Sequence, residues 1–215
     1  GDMYASFLDR DTRNALGLDP LAGELARIAA IDSHDDLPAY FGRAAIYGFG
    51  SPLEFFQYAD LKRPEAYAMY VFQSGLGLPD REYYFKEGEN SENIRVEYVK
   101  YITDMLAAAG IEDSAAAAGR IMALETRIAG QHMLKEDTRD LQKLYNLIPA
   151  AELAGLMPNF DWSAYLAALQ IPDQKELVVG MTDYTGALDE IITSTDISTW
   201  KEYLNFHLMD ASAGE

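Results

Sequence analysis

The stretch SGLGLPDREYYF occupies residues 74–85 and decides where the chain must turn. Gly75 and Gly77 allow backbone angles that are closed to other residues. Pro79 fixes its own φ angle and disfavours helical geometry at Leu78, which precedes it. The stretch therefore predicts a defined bend. After the bend comes a run of long side chains that can clamp neighbouring elements: Arg81, Glu82, Tyr83, Tyr84 and Phe85.

The spacing of Gly75 and Gly77 also begins the G-x-G-x-x-G pattern that binds dinucleotide phosphates. The third glycine of that pattern is replaced here by Asp80, and Pro79 stands where the phosphate-binding helix should begin. These two departures exclude a dinucleotide site at the bend. The prediction that remains is a turn anchored by aromatic residues.

Other short stretches accompany the bend in a fixed order: YASFLD (4–9), ALETRIA (123–129), Arg139-Asp140 with Tyr145-Asn146, FDW (160–162), WKEYL (200–204) and FHLMD (206–210). Together with the bend they resemble the non-catalytic half of the neprilysin and endothelin-converting enzyme family of zinc metallopeptidases. The stretches follow that family's order at about its spacing and cover nearly the whole chain. Glu82 and Met133 depart from the family's commoner residues, both at positions that suit a structural role.

This resemblance implies a mainly α fold: a multi-helix domain with one small β-hairpin, the helical cap of a neprilysin-like metallopeptidase. In that family a His-Glu-x-x-His helix and a further glutamate hold zinc, and the motif's own glutamate activates the attacking water. No such motif occurs in these 215 residues. We therefore expect residues 1–215 to be a partial N-terminal domain, inactive alone, with no cofactor, metal ligand or catalytic residue. Zinc would belong to the parent enzyme.

The resemblance also implies two partners: the missing C-terminal catalytic domain of the same polypeptide, and a peptide substrate in the full enzyme. The cap would enclose the chamber that limits substrates to short peptides. The alternative is a standalone helical module that binds a peptide or a protein. The first hypothesis expects the reading frame to continue beyond Glu215, and the second expects a natural terminus there. The apolar helical pattern continues close to the last residue, which favours a chain cut from a longer one.

Composition excludes several other functions. The chain is 49% hydrophobic, enough for a large core, and carries 17 basic against 35 acidic residues, a formal net charge of −18. Nucleic acids and anionic membrane surfaces both recruit Lys and Arg, so neither is an expected partner. The acidic residues are scattered along the chain, which is typical of a solvated surface.

The chain has no cysteine, which excludes disulfides and thiol catalysis. No apolar run approaches the roughly 18 residues that would predict a membrane span. The start, Gly1-Asp2-Met3, resembles the remnant of a removed tag, so the missing signal peptide says nothing about the native gene. The family resemblance implies an exported protein, periplasmic or extracellular.

Hydrophobic spacing predicts most elements of the first half. A helix starts at Asp19-Pro20 and a second runs from a Ser33 cap to Tyr47. Two runs rich in aromatic residues, Leu53–Ala59 and Tyr67–Gln73, predict a β-hairpin with a longish polar loop. After the bend, Ser91 is predicted to cap a long helix that Gly110 ends.

The second half is predicted as further helices with one short apolar run. The run covers residues 175–179 and is predicted as an orphan strand. The helices are predicted at residues 113–132, 149–156, 161–169, 184–192 and 198–210.

The three histidines, His34, His132 and His207, are far apart in sequence, and none has a second histidine three or four residues away. Zinc sites usually need three or four ligands with at least one close pair, so a metal role is not expected. His132 is predicted to compensate a helix dipole or to form a hydrogen bond, and His207 to be packed and satisfied. The acidic pairs are predicted to lie at helix starts or in solvent: Asp35-Asp36 and Glu112-Asp113.

The candidates for substrate contact are Arg139, Asp140, Tyr145 and Asn146. An Arg–carboxylate fork is rigid and bidentate, and it could instead pin a loop between two helices. The aromatic residues between Phe55 and Phe85 leave three interpretations open: a packed core, a peptide-binding surface, or a face turned towards the rest of an enzyme.

Overall fold

The computed structural model of the chain describes residues 17–213 and shows a mainly helical domain. Its α-helices are α1 (Ala22–Ala29), α2 (Leu37–Tyr47), α3 (Glu82–Phe85), α4 (Glu89–Ala108), α5 (Ser114–Gln131), α6 (Trp162–Ala168), α7 (Thr182–Ser194) and α8 (Ile197–Ser212). Shorter 3₁₀ helices cover Asp19–Leu21, His34–Asp36, Asp137–Arg139 and Ala150–Gly155. The YASFLD stretch and the residues at both chain ends lie outside the described residues.

Four strands of the described part form one sheet in the order β1-β2-β4-β3. They are β1 (Leu53–Ala59), β2 (Tyr67–Gln73), β3 (Asn146–Pro149) and β4 (Glu176–Val179). The antiparallel pair β1 and β2 is the predicted hairpin. β4 lies parallel to β2 and antiparallel to β3, so the sheet joins segments that are distant in sequence.

One prediction about these strands was wrong. The run at 175–179 is not an orphan, because Val178 pairs with Tyr70 of β2. The short helix predicted at residues 149–156 is present as the 3₁₀ helix Ala150–Gly155, although Pro149 belongs to β3. A strand of four residues is too short to show an alternating pattern, so β3 was missed. Pro149 fits at the sheet edge, where its missing N–H costs no strand pairing.

The strands alternate between two apolar clusters. Leu53 and Val71 point into the main core beneath the helices. Tyr70 and Val178 point to the other face, where they form a small second cluster with Tyr145. This alternation follows from the two-residue period of a strand, and it explains why both faces of a short sheet are apolar here.

The main core depends on close helix packing. Gly42 of α2 faces α6, and a Cβ at this position would lie 2.6 Å from the carbonyl oxygen of Tyr165. Beside this contact, Phe41 packs edge-on against Trp200 of α8 with ring centroids 5.3 Å apart. Trp200 is fully buried, so α8 passes through the centre of the domain.

The structure confirms one of the two predicted helix caps and corrects the other. The backbone N–H of Ser33 donates to the Asp36 carboxylate at 3.0 Å, at the start of the helical segment that leads into α2. Ser91 is not a cap, because α4 already begins at Glu89, after Gly88 with its positive φ angle of 110°. Among residues 17–213, no helix combines the length and apolar character needed to cross a bilayer.

Candidate functional site

The bend after β2 confirms what its glycines predict. Gly75 has a φ angle of 90°, and a Cβ there would lie 2.6 Å from the hydroxyl oxygen of Tyr203. A Cβ on Gly77 would overlap the hydroxyl of Tyr98. Close contacts as well as backbone geometry therefore favour glycine in this bend.

Tyrosine hydroxyls hold the carbonyl groups at this bend. Tyr203 donates to the carbonyl oxygen of Gly75 at 3.0 Å. The hydroxyl of Tyr184 lies 3.2 Å from the carbonyl oxygen of Ser74 and also donates to that of Pro52, before β1, at 2.6 Å. Burial raises the pKa of both tyrosines far above the ordinary value, so both hydroxyls stay protonated donors. The bend is thus fixed to α7 and α8 by buried hydrogen bonds.

The buried carboxylate of Glu125 also holds the bend in place. Glu125 of α5 is fully buried and accepts hydrogen bonds from the hydroxyl of Tyr84 at 2.7 Å and of Tyr98 at 2.9 Å. The Nε2 atom of His207 lies 2.9 Å from the same carboxylate. The prediction that His207 is packed and satisfied is confirmed. Glu125 was not singled out by sequence reasoning.

His132 follows α5 and joins it to the bend. Its Nε2 atom lies 3.1 Å from the carbonyl oxygen of Ser74, and its ring meets that of Tyr184 edge-on at 4.9 Å. The pKa of His132 is lowered to about 4, mainly by burial and to a smaller extent by the nearby charge of Arg81, although the hydrogen bond to Ser74 opposes both. The hydrogen-bonding interpretation of His132 is confirmed, and the dipole-compensating one is wrong because the ring is neutral near pH 7.

The residue after His132 is tied to the end of β2. Met133 donates its backbone N–H to the side-chain oxygen of Gln73 at 2.7 Å. The amide nitrogen of Gln73 lies 3.5 Å from the carbonyl oxygen of Met133. The side chain of Gln73 thus connects the end of β2 to the segment that follows α5.

Two cavities share part of their lining at the His132–Met133 segment, and we call them together the Arg81 cleft. One has a volume of about 350 Å³ and the other about 540 Å³. Arg81, His132 and Met133 line both cavities. The first is otherwise lined by the bend, including Ser74, Gly75, Pro79 and Asp80. The second is otherwise lined by the chain around Asn146 and the start of α7.

Arg81 is the charged side chain common to both cavities. Its guanidinium carbon lies 5.5 Å from the ring centre of Phe85. Its Nε atom is enclosed and has no hydrogen-bond partner among residues 17–213. The cleft's lysines are paired, Lys135 with Asp80 at 3.6 Å and Lys143 with Asp137 at 2.6 Å.

Two of the four sequence candidates, Tyr145 and Asn146, have buried structural partners. Tyr145 donates its hydroxyl to Asp60 at 2.8 Å, in the loop of the hairpin. The amide of Asn146 donates to the carbonyl oxygen of Val179 at 3.0 Å, across β3 and β4. Asn146 also lines the larger cavity, so it is the candidate that reaches the Arg81 cleft.

The other two candidates, Arg139 and Asp140, are exposed. Asp140 accepts the backbone N–H of Gln142 at 3.0 Å, which shapes the local turn. Arg139 forms no ion pair with any carboxylate of residues 17–213, so the proposed fork does not form within this part of the chain. The four candidates do not converge on one point, and substrate contact by them stays a prediction.

A model of the N-terminal part of peptidase family M13 matches residues 1–215. The chain belongs to peptidase family M13. Rat endothelin-converting enzyme 1 is 32% identical over 158 residues, which is 70% of this chain and 21% of that enzyme. These matches confirm the resemblance to the N-terminal part of the neprilysin and endothelin-converting enzyme family.

Solved structures agree with this M13 assignment. The zinc metalloprotease Zmp1 of Mycobacterium tuberculosis, in complex with an inhibitor, superposes on 99% of this chain with a TM-score of 0.92 and 33% identity. PepO of Lactobacillus rhamnosis superposes on 96% with a TM-score of 0.72, but at 16% identity it shows only a shared fold. This chain spans 33% of the Zmp1 chain and 21% of rat endothelin-converting enzyme 1, so it corresponds to part of each relative.

M13 enzymes are zinc-dependent, yet the described residues do not fit a zinc ion. Residues 17–213 contain no group of three or more His, Asp or Glu side chains that could hold a metal. The Nε2 atom of His34 lies 2.7 Å from the carbonyl oxygen of Thr195. His132 and His207 have their own separate partners, so the three imidazoles share no site.

The aromatic residues around the hairpin are partly packed and partly exposed, so the packed-core interpretation holds for some of them and the other two interpretations stay predictions. Phe56 stacks on Tyr70 with ring centroids 5.3 Å apart, as expected of core residues. Tyr58 and Tyr67, near the hairpin loop, are 60% and 75% exposed. The hairpin of this M13 domain therefore has a packed base and an aromatic tip that faces outward.

Proposed function

We propose that this chain is the helical, non-catalytic cap of a zinc metalloendopeptidase that hydrolyses short peptides. One observation carries the proposal: the chain superposes on one part of a zinc metalloprotease over 99% of its length, while residues 17–213 hold no metal-binding group. In the full enzyme the cap would enclose the substrate chamber. The zinc ion and its catalytic base would lie in the C-terminal part.

The histidines support the inactivity of the isolated chain. Peptide hydrolysis by this family needs a zinc-bound water and a nearby base, both supplied by a His-Glu-x-x-His helix. Here His34, His132 and His207 are each committed to a separate buried or partly buried acceptor. Gathering them around one metal ion would require three hydrogen bonds to break and the helices to separate.

The buried hydrogen bonds support the role as a rigid wall. A chamber that selects peptides by size needs a wall that keeps its shape. In this chain the bend is held by Tyr184 and Tyr203 and anchored on Glu125, so its backbone cannot move without breaking buried and partly buried hydrogen bonds. Breaking buried bonds is costly because unpaired polar groups then remain away from water.

The direct test uses the purified 215-residue chain. We expect no zinc by elemental analysis and no cleavage of a short internally quenched peptide above buffer, with or without a chelator. The positive control is the polypeptide that continues into the downstream reading frame. It should bind zinc and cleave the same peptide in a chelator-sensitive way. Chelator-sensitive cleavage by the 215-residue chain alone would overturn the proposal.

The alternative, a standalone adaptor module, makes a different prediction about the gene. It requires a stop codon after Glu215 and measurable affinity for a partner peptide or protein. We also propose, on the family resemblance alone, that the native protein is exported to the periplasm or beyond. Fractionation of cells that express the full reading frame would test this location, and recovery in the cytosol would contradict it.

A further inference from the structure

Arg81 leaves a charged donor unsatisfied inside the fold. Few side-chain atoms of residues 17–213 are both buried and without a hydrogen-bond partner: Tyr40 Oη, Arg81 Nε, Trp162 Nε1 and Tyr165 Oη. Arg81 Nε is the member of this set that belongs to a charged group. A buried charged donor without a hydrogen-bond partner costs more free energy than a neutral one does. An acceptor from another molecule would therefore stabilise this arrangement.

The position of Arg81 gives such an acceptor access. Its side chain lines both cavities of the Arg81 cleft, which measure about 350 and 540 Å³. The Nε atom is shielded by protein, but the residue as a whole is partly exposed, so a shift of the Arg81 side chain brings Nε to an acceptor in the cleft. A group that enters the cleft can therefore reach the guanidinium without unfolding the domain.

Among the described residues that line the cleft, Arg81 is the cation without an ion-pair partner. Lys135 and Lys143 are each paired with an aspartate of the lining. His132, the third basic side chain, is neutral near pH 7. Glu82 and Asp183 also line the cavities, but neither forms an ion pair with Arg81 within 4 Å. The guanidinium thus faces the cleft with its charge uncompensated by direct contact.

The start of α7 adds further donors to the larger cavity. Met181 precedes this helix and offers no side-chain cap, and Thr182, Asp183 and Tyr184 line the cavity. The first backbone N–H groups of a helix have no acceptor within the helix, and the helix dipole there favours a negative group. The negative charge of Asp183 weakens the attraction of the helix start for a negative group. Arg81 therefore remains the main group that attracts a negative ligand to the cleft.

We propose that the Arg81 cleft is a carboxylate-binding site. A guanidinium matches a carboxylate through two parallel N–H···O bonds, and this fork is stronger and more directional than a neutral hydrogen bond. The carboxylate can come from the C-terminus of a short peptide or from an acidic side chain of another polypeptide segment. The proposal concerns only residues of this chain, so it holds whether or not the peptidase function proposed above is correct.

The test is a titration of the ¹⁵N-labelled chain, with the Arg81 Nε–Hε signal as readout and assignment by its loss in Arg81→Gln. Three probes separate the sources of the carboxylate: N-acetyl-Ala-Phe with a free C-terminus, its C-terminal amide, and an amidated peptide with one internal Asp. We expect the Nε–Hε signal to shift saturably with the first or third probe and to stay unchanged with the second. The probe that binds identifies the source.

Matched variants show whether the guanidinium itself binds. Arg81→Gln lacks the Nε–Hε signal, so its affinity is measured from the backbone amide signals of the cleft residues. This variant should bind the carboxylate about tenfold more weakly or worse, the usual worth of a charge-assisted pair. Arg81→Lys should recover part of the affinity because it keeps the charge but not the fork. Arg27→Gln removes the same charge from a side chain that is 60% exposed, and it should bind like the unmodified chain.

Three outcomes would overturn the proposal. The first is an Nε–Hε signal that stays unshifted with every carboxylate probe up to millimolar concentrations. The second is equal affinity of the chain for the amide and the acid, and the third is equal affinity of Arg81→Gln and the unmodified chain for the acid. Because the buried Nε atom of Arg81 has no hydrogen-bond partner within residues 17–213, Arg81→Gln should fold, and its circular dichroism spectrum checks this.

Discussion

The Nε2 atom of His207 lies 2.9 Å from the Oε1 atom of Glu125, and both side chains are buried. The same carboxylate accepts the hydroxyls of Tyr84 and Tyr98. Burial, followed by the charge of Glu125, raises the pKa of both tyrosines well above the ordinary value, so they remain donors. One carboxylate thus connects α3, α4, α5 and α8.

Glu125→Gln should destabilise the domain by about 3 kcal/mol. An amide has one oxygen where the carboxylate has two, so at least one of three buried donors would face an N–H₂ group and lose its acceptor. The free energy of unfolding in urea measures the loss. Glu97→Gln, an exposed change on α4, is the control and should alter stability by less than about 0.5 kcal/mol. A loss below about 1 kcal/mol for Glu125→Gln would show that the carboxylate network contributes little.

His132 predicts a pH dependence of stability. Burial lowers its folded-state pKa from 6.5 to about 4, so the unfolded chain binds more protons between these values. The stability from His132 is therefore complete above about pH 6.5 and is lost as the pH falls towards 4. The full loss amounts to about 3 kcal/mol.

Comparison of His132→Gln with the unmodified chain isolates this contribution. The variant loses ring packing, which lowers stability by a constant amount at every pH. Its unfolding free energy should nevertheless decline less steeply between pH 6.5 and 4. Equal slopes in urea titrations across that range would mean that the ring is protonated as easily in the fold as in the unfolded chain.

Gly77→Ala should destabilise the chain by about 2–3 kcal/mol, because the added methyl group would overlap the Tyr98 hydroxyl and push it from Glu125. Gly155→Ala is the matched control, since a Cβ there meets no atom within 4 Å. Urea midpoints compare the two. If Tyr98→Phe in the Gly77→Ala background recovers none of the loss, the hydroxyl overlap is not the cause.

The parts of the fold that sequence predicted correctly rest on local rules. Helices α5, α6 and α8 follow from apolar spacing, and the bend follows from Gly75 and Pro79. The pairing of β4 with β2 was not predictable in this way, because it joins Tyr70 to Val178 across more than a hundred positions. Sequence spacing carries no signal for such contacts.

The candidate site also depends on contacts between residues that are distant in sequence, which spacing cannot predict. Arg81 was visible as one long side chain of the bend, but its lack of a partner depends on where α5 and α7 lie. Glu125 did leave a signal: it is an acid on the apolar stripe of α5, four residues after Ile121 and three before Ile128. A charged residue at a buried helical position requires partners from other elements, so the spacing of α5 alone predicts that Glu125 has them.

Asp60 should control the order of the hairpin loop. Its carboxylate accepts the backbone N–H groups of Lys62 and Arg63 at 2.8 and 3.2 Å and the Tyr145 hydroxyl at 2.8 Å. Burial opposes its ionisation, but these bonds and the Arg63 side chain outweigh burial and lower the pKa of Asp60 to about 2. Its stabilising effect should therefore persist down to about pH 4 and disappear as the pH falls to about 2.

Asp60→Asn should loosen the loop without unfolding the domain, because an amide accepts fewer hydrogen bonds and places an N–H₂ group against other donors. We expect the amide protons of Lys62 and Arg63 to exchange with solvent severalfold faster in this variant at pH 7. Asp140→Asn is the control, since that exposed carboxylate accepts one backbone N–H, from Gln142. Unchanged exchange at Lys62 and Arg63 in Asp60→Asn would assign the order of the loop to its backbone hydrogen bonds alone, including the one from the Ala66 N–H to the Arg63 carbonyl oxygen.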